Sequence, residues 1–263
     1  MERAIHIFDN GVQVYEDQLW PGQRARYERR NVHEAEEEDI FLGLLRRLPP
    51  DGCYVDVGAA IGYYLILARK EAPGLTIHGF EPLERHRASL RENLELNGLT
   101  TDDFIIHSQG LTSSAGRQIF LDRGYSSRLA AGGDKAAPSL SQRWKDLLVK
   151  LGLRDSRDKT VTIETTTVDE FVRRIRRPID LLQMDVQGLE VEVLKGAIES
   201  LKTGAVKTFL IGTHGRALGL ELHEDCRERL RANGYEIEVD LPDTRDQPDG
   251  ILVASKGVRG LKA

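Results

Sequence analysis

The sequence predicts an α/β fold in which helices cover both faces of a doubly wound, mostly parallel sheet. Three observations carry that expectation. From Gly52 to Val253, short β-branched or apolar runs alternate with longer amphipathic stretches, the pattern of successive βαβ units. Helical stretches separate the first six of these runs, so the strands they connect should lie parallel. The last run follows its predecessor through a turn containing Pro242-Asp243 and Pro248-Asp249-Gly250 instead of a helix, so the sheet should close on an antiparallel strand.

A chain of 263 residues suits one large domain with an appendage better than two full domains. The expected division is an N-terminal extension over 1–50 and a core over 51–263 with an insertion at 122–160. In the extension, the acidic run from Glu34 to Asp39 leads into Ile40, Phe41, Leu44, Leu45 and Leu48. This reads as a helix which, with edge strands, packs at the edge of the sheet. Core strands are expected at Cys53–Val57, Thr76–Phe80, Phe104–His107, Ile179–Met184, Lys207–Ile211, Tyr235–Val239 and Gly250–Ala254, with extra strands at Arg117–Leu121 and Thr160–Thr165. Helices are expected at Gly62–Glu71, Leu83–Leu96, Thr167–Ile175, Leu189–Leu201 and His223–Ala232. Asn97-Gly98 and Asn233-Gly234 supply left-handed ends to two of them. Residues 122–160 are rich in Gly, Ser, Arg and Lys and exceed ordinary loop length. With an amphipathic piece at Leu140–Leu151, they read as a lid.

Composition narrows the function. Apolar residues at 40% and charged residues at 30% suit a globular chain. Met1 to Asp9 has no long apolar core after a basic start, and no later run approaches bilayer-spanning length, so a cytoplasmic protein with no membrane partner is expected. A net charge of −5 gives no global attraction for nucleic acid. Cys53 and Cys226 lack metal-ligand spacing and are too few for a disulfide framework. Self-association is left open.

Three motifs carry chemistry. In Tyr54-Val55-Asp56-Val57-Gly58-Ala59-Ala60-Ile61-Gly62 a strand runs into a glycine-spaced turn, where Gly58 would let the backbone approach a ligand and Gly62 would let the following helix start close to the sheet. Ala59-Ala60 stand where a dinucleotide fold places its second glycine, which argues against a pyrophosphate and an NAD-linked oxidoreductase. Asp56 would repel a pyrophosphate but suits the sulfonium and ammonium groups of S-adenosylmethionine. His78-Gly79-Phe80-Glu81-Pro82 ends the next strand. Glu81 there can accept hydrogen bonds from a ribose diol, and Pro82 stops the strand behind it. In Met184-Asp185-Val186-Gln187-Gly188-Leu189-Glu190, Asp185 reaches the carboxyl end of its strand, where ligands of open α/β sheets bind; helix capping is the plainer role. Glu190 and Glu192 suit the dipole of the next helix.

A parallel sheet closing on an antiparallel strand behind such a turn is the arrangement of a class I methyltransferase, a Rossmann-like fold. The three blocks resemble the FkbM family of methyltransferases from about Tyr54 to Ala254, most specifically across Asp185–Ala197. The resemblance implies a seven-stranded class I methyltransferase fold, S-adenosylmethionine as methyl donor, and O-methylation of a small-molecule acceptor such as a sugar or a scaffold in natural product biosynthesis. Asp56, Gly58 and Gly62 fall on the family's cofactor turn, Glu81 on its ribose acid, and Asp185 and Gly188 on its late motif; Ala59 and Pro82, beside them in the sequence, are also expected to touch the cofactor. Ala60 stands where the family usually has Asn, and Gln187 where it usually has Glu.

A hydroxyl acceptor must shed its proton, so a base should stand within hydrogen-bond reach. His214, in Leu210-Ile211-Gly212-Thr213-His214-Gly215, follows a hydrophobic strand and should share an edge with Asp185. An ordinary histidine pKa of ~6.5 suits proton uptake near neutrality, with Asp185 orienting the hydroxyl or the ring. No further ligand cluster accompanies Asp185 and His214, so no metal is expected. Arg173-Arg174-Ile175-Arg176-Arg177 reads as a solvated helix end, while Arg123, Arg128, Lys135 and Arg143 in the insertion are placed to meet an anionic acceptor. N-methylation is the alternative reaction, disfavoured because Met184-Asp185-Val186-Gln187 replaces the Asn/Asp-Pro-Pro-aromatic motif of such enzymes. A non-catalytic module binding an adenosine-containing ligand is the alternative from another class.

Overall fold

The computed structural model describes residues 3–19, 24, 26–122, 128–129, 159–214, 221–242 and 250–257. Of the expected lid over 122–160, only 122, 128–129 and 159–160 are described; Leu140–Leu151, Arg123, Lys135, Arg143 and the side chain of Arg128 lie outside the described residues.

Strands β1 (Ile5–Ile7) and β2 (Gln13–Tyr15) precede helix α1 (Ala35–Leu45). Next come β3 (Cys53–Val57), α2 (Tyr63–Glu71), β4 (Thr76–Phe80), α3 (Glu84–Leu96) and β5 (Ile105–His107). Four strands β6 (Gly110–Leu111), β7 (Gly116–Asp122), β8 (Arg128–Leu129) and β9 (Lys159–Thr166) lead to α4 (Val168–Ile175) and β10 (Ile179–Met184). The chain ends with α5 (Glu190–Lys195), α6 (Ile198–Thr203), β11 (Val206–Thr213), α7 (Leu222–Ala232), β12 (Tyr235–Leu241) and β13 (Gly250–Lys256). The main sheet has seven strands in the order β12-β13-β11-β10-β3-β4-β5. Strand β13 runs antiparallel to both of its neighbours, β11 and β12, and the other pairings are parallel. Strands β6 to β9 form a separate four-stranded sheet that takes up the expected extra strands.

Central strands read as apolar runs because helices cover both of their faces. All six residues of β10 are buried. Leu181, with Tyr54, Ile77 and Leu210, packs under Phe41, Leu65, Leu90 and Leu94 of α1, α2 and α3. Leu182 and Met184, with Val55, Val57 and Phe209, pack against Phe171, Val193, Leu194, Leu201 and Leu230 of α4 to α7. No described helix is long and apolar enough to cross a membrane.

Three expectations are corrected. The helix expected at Leu189–Leu201 is two helices, α5 and α6, broken at Gly196. A β-carbon there would lie 2.1 Å from the carbonyl oxygen of Thr112, and the Asp169 carboxylate accepts the Glu199 and Ser200 amides at 3.0 and 2.8 Å, starting a new helix. Helix α1 lies over the central strands instead of at the edge: the Phe41 ring is 5.3 Å from Tyr54, and the Gln183 amide of β10 donates to Glu37 at 2.8 Å. Strands β1 and β2 pair with each other alone, forming a two-stranded ribbon and not an extension of the sheet.

Parallel order places four strand ends side by side. Val57 is in register with Phe80 on one side and Met184 on the other, and Met184 with Ile211. The next residues, Gly58, Glu81 and Asp185, with His214 beyond β11, therefore emerge along one edge.

Candidate active site

The turn after β3 is held by the chain itself. The Gly58 and Ala59 amides both donate to the Phe80 carbonyl, at 2.9 and 3.1 Å, and Gly62 donates to Ala59 at 2.7 Å. Gly58 has φ +94°, and a β-carbon on it would lie 2.3 Å from the Asp185 carbonyl oxygen. The crowding that demands glycine there is thus the approach of β10 to β3. Gly62, at φ +86°, would drive a β-carbon to 2.9 Å from Leu90 of α3. Ala60 is left-handed at φ 44°, a conformation that Asn tolerates better than Ala. This gives a physical reason for asparagine at that place in the family pattern.

Glu81 ties the turn to the end of β4. One of its oxygens accepts the Ala60 amide at 3.0 Å and the other the Leu83 amide at 2.8 Å; His86 Nδ1 lies 3.4 Å from the second. Pro82 follows half-buried. Asp56 is buried at the same mouth, and its carboxyl is pushed up to about 8, first by burial and then by the charges of Asp185 and Glu81.

Across the edge, Asp185, Gln187, Glu190 and His214 form one cluster. The Gln187 side-chain nitrogen lies 2.8 Å from Asp185 Oδ1 and 3.1 Å from His214 Nε2. His214 Nδ1 is 3.5 Å from Asp185 Oδ1 and 3.3 Å from Glu190 Oε1. Glu190 is 0% exposed, and its Oε1 also accepts the Gly188 amide at 3.1 Å. Helix α1 adds Glu37, whose carboxyl lies well above its ordinary range because of burial and the charges of Glu34 and Asp185. A β-carbon on Gly212 would lie 3.6 Å from Glu37 Oε2, 3.6 Å from His214 Cε1 and 3.7 Å from the Asp185 β-carbon, so the three side chains border one space. His33, ahead of α1, is pushed down to about 4 by burial, against the charge of Asp185. Among the described residues, no group of three or more His, Cys, Asp or Glu is arranged to hold a metal ion.

The structure therefore brings Asp185 and His214 together, and places Asp56, Gly58, Ala59, Gly62, Glu81 and Pro82 at the adjoining strand ends. Sequence reading passes over Glu37, His33 and the buried role of Glu190. Glu37 had one legible signal. It precedes Phe41, Leu44 and Leu45 at helical spacing, so an acid lies on the apolar stripe.

A sheet ordered in this way, with one antiparallel strand and a glycine turn after β3, defines the class I methyltransferase fold. Magnesium protoporphyrin IX methyltransferase of Synechocystis PCC 6803, solved with bound SAM, has a similar fold at a TM-score of 0.50 and 14% identity, over 86% of this chain and 80% of that one. The Methyltransferase FkbM domain matches residues 56–237, and the chain belongs to this methyltransferase family. It is 28% identical over 169 residues to the methyltransferase SdnD of Sordaria araneosa, across 59% of this chain and 64% of SdnD. It is 46% identical over 46 residues to 31-O-demethyl-FK506 methyltransferase FkbM of Streptomyces tacrolimicus, across 18% of each. The chain spans less than two thirds of the curated relatives it matches, from 12% to 64% of their length.

Proposed function

We propose that the protein transfers the methyl group of S-adenosylmethionine to a hydroxyl oxygen of a small molecule, such as a sugar or natural-product scaffold, with His214 as the proton acceptor. The observation that carries this reading is the histidine–carboxylate cluster at the ends of β10 and β11, directly beside the carboxylate-lined turn after β3.

The donor set fits the cofactor. Asp56 is surrounded by the charges of Asp185 and Glu81, so a cation at this mouth relieves the cost of ionising it. S-adenosylmethionine supplies a methyl group on a positively charged sulfur. Asp56 would face the cationic groups, with Gly58, Ala59 and Gly62 shaping the turn. Glu81 would take the ribose diol, with Pro82 behind it. Two backbone amides bond Glu81 and His86 Nδ1 lies 3.4 Å from one of its oxygens; a carboxylate has about four acceptor sites, so capacity for a ribose hydroxyl remains on the other oxygen.

On the acceptor side, His214 takes the proton that the hydroxyl sheds, and Asp185 orients the hydroxyl. Oxygen as the acceptor atom has support from the relative FkbM, whose name records 31-O-demethyl-FK506. The test is to incubate the protein with S-adenosylmethionine and a panel of hydroxylated metabolites and to measure S-adenosylhomocysteine. Acceptor-dependent product with a new O-methyl group is expected; methylation found only on nitrogen would overturn the reading.

A further inference from the structure

Glu190 is the most deeply buried ionisable group of the cluster, and its second oxygen, Oε2, is buried with no hydrogen-bond partner among the described residues. An acid so placed is expensive to keep. As a helix-dipole residue alone, Glu190 would gain nothing from complete burial, since that interaction is available at the surface. What burial provides is a fixed contact with His214.

The ring's tautomer follows from the neighbouring groups. Asp185 Oδ1 can only accept when ionised, so the Gln187 atom 2.8 Å from it is the amide nitrogen. That nitrogen also lies 3.1 Å from His214 Nε2 and can only donate, so Nε2 carries the lone pair. The ring proton is therefore on Nδ1, which lies 3.3 Å from Glu190 Oε1. Asp185 Oδ1 is farther from Nδ1, at 3.5 Å, on a side chain that is 35% exposed. The wholly buried Glu190 acts through a lower dielectric.

From this geometry we propose that Glu190 is the positioning residue of the proton acceptor, holding the proton of His214 on Nδ1 so that Nε2 keeps its lone pair as an acceptor; this rests on the reading of His214 as the base. Gln187 covers Nε2 in the free protein and gives way to the acceptor hydroxyl. When the acceptor O–H bond breaks, its proton moves to Nε2 while the Nδ1 proton stays beside Glu190. The carboxylate balances the resulting imidazolium. The assignment gives the ring-orienting role to a residue that sequence reading gave to the helix dipole, and leaves Asp185 to orient the hydroxyl.

The test reads the ring directly and needs no acceptor. Long-range proton–nitrogen correlation spectra of the labelled protein, with and without S-adenosylhomocysteine, should place the His214 proton on Nδ1. Glu190→Gln, which keeps an oxygen acceptor, should retain that tautomer; Glu190→Leu, with Gln187 still donating to Nε2, should raise the population of the Nε2-protonated form. Once an acceptor is known, Glu190→Leu should lower kcat by about 10²- to 10⁴-fold with little change in KM. In a His214→Ala background it should add no further loss, which a merely structural role would not reproduce. A wild-type ring protonated on Nε2, or an unchanged spectrum in Glu190→Leu, would overturn the proposal. Should Glu190→Leu not fold, the wild-type and Glu190→Gln spectra decide by the same criterion. Failure to methylate any hydroxyl would end the reading of function but leave the tautomer result standing.

Discussion

The two halves of the ligand edge are built differently. On the β3/β4 side, the turn residues and Glu81 are joined by backbone hydrogen bonds over about twenty residues of sequence. On the β10/β11 side, the cluster draws on α1, the loop after β10, the buried start of α5 and the end of β11. A short-range device survives as a contiguous motif. A cluster assembled by topology leaves only scattered residues whose meaning appears once the strands are ordered.

This contrast predicts separable functions. The largest effect should fall on the assembled side: His214→Ala should lower turnover by about 10²- to 10⁴-fold, the range of general acid–base catalysis, while cofactor affinity stays nearly constant. Single-turnover kinetics beside calorimetry would check it, and equal losses in both would merge the two halves. Glu81→Ala should do the reverse, weakening S-adenosylhomocysteine binding by roughly 1–3 kcal/mol through lost hydrogen bonds to a charged group. Titration calorimetry that found wild-type affinity would remove Glu81 from the site.

A smaller effect belongs to the scaffold under the cofactor half. His78 of β4 and His107 of β5 lie 3.1 Å apart, Nδ1 to Nε2, and each is pushed down to about 4, chiefly by burial. Folding thus favours their neutral forms. Stability from this pair is fully present above the ordinary histidine pKa of ~6.5 and is lost as the pH falls from there through 4. Thermal melts between pH 7 and 4 should show this decline, and His107→Gln should flatten it. The smallest effect concerns the turn. Ala60→Gly should stabilise the protein by about 1 kcal/mol or less by relieving a left-handed alanine, with cofactor affinity preserved; a lower melting temperature would contradict the strain argument.

Legibility in the sequence follows the same division. The bounds of β3, β4 and β10 can be read because burial on both faces makes central strands continuous apolar runs. The break at Gly196 is hidden because helical periodicity runs through it, and the carbonyl that forces it belongs to Thr112, far away in the chain. The place of α1 over the central strands is hidden because nothing within the acidic run Glu36-Glu37-Glu38-Asp39 itself marks Glu37 and Glu38 as buried. Asp185 and His214 can be paired because both follow hydrophobic strands. Glu190 cannot, since an acid in the first turn of a helix has a sufficient surface explanation.

A carboxylate-lined mouth of this kind should receive a cationic, ribose-bearing cofactor. Asp56, pushed up to about 8, is mostly protonated at pH 7, and a bound cation must favour its ionised form. Titrating S-adenosylmethionine at pH 7 in buffers of different ionisation enthalpy measures the linked proton directly. Micromolar binding with release of about one proton is predicted, with affinity rising as the pH approaches 8 and no binding of NAD. Binding without proton release, or binding of NAD in its place, would rule out Asp56 as the partner of a cationic cofactor.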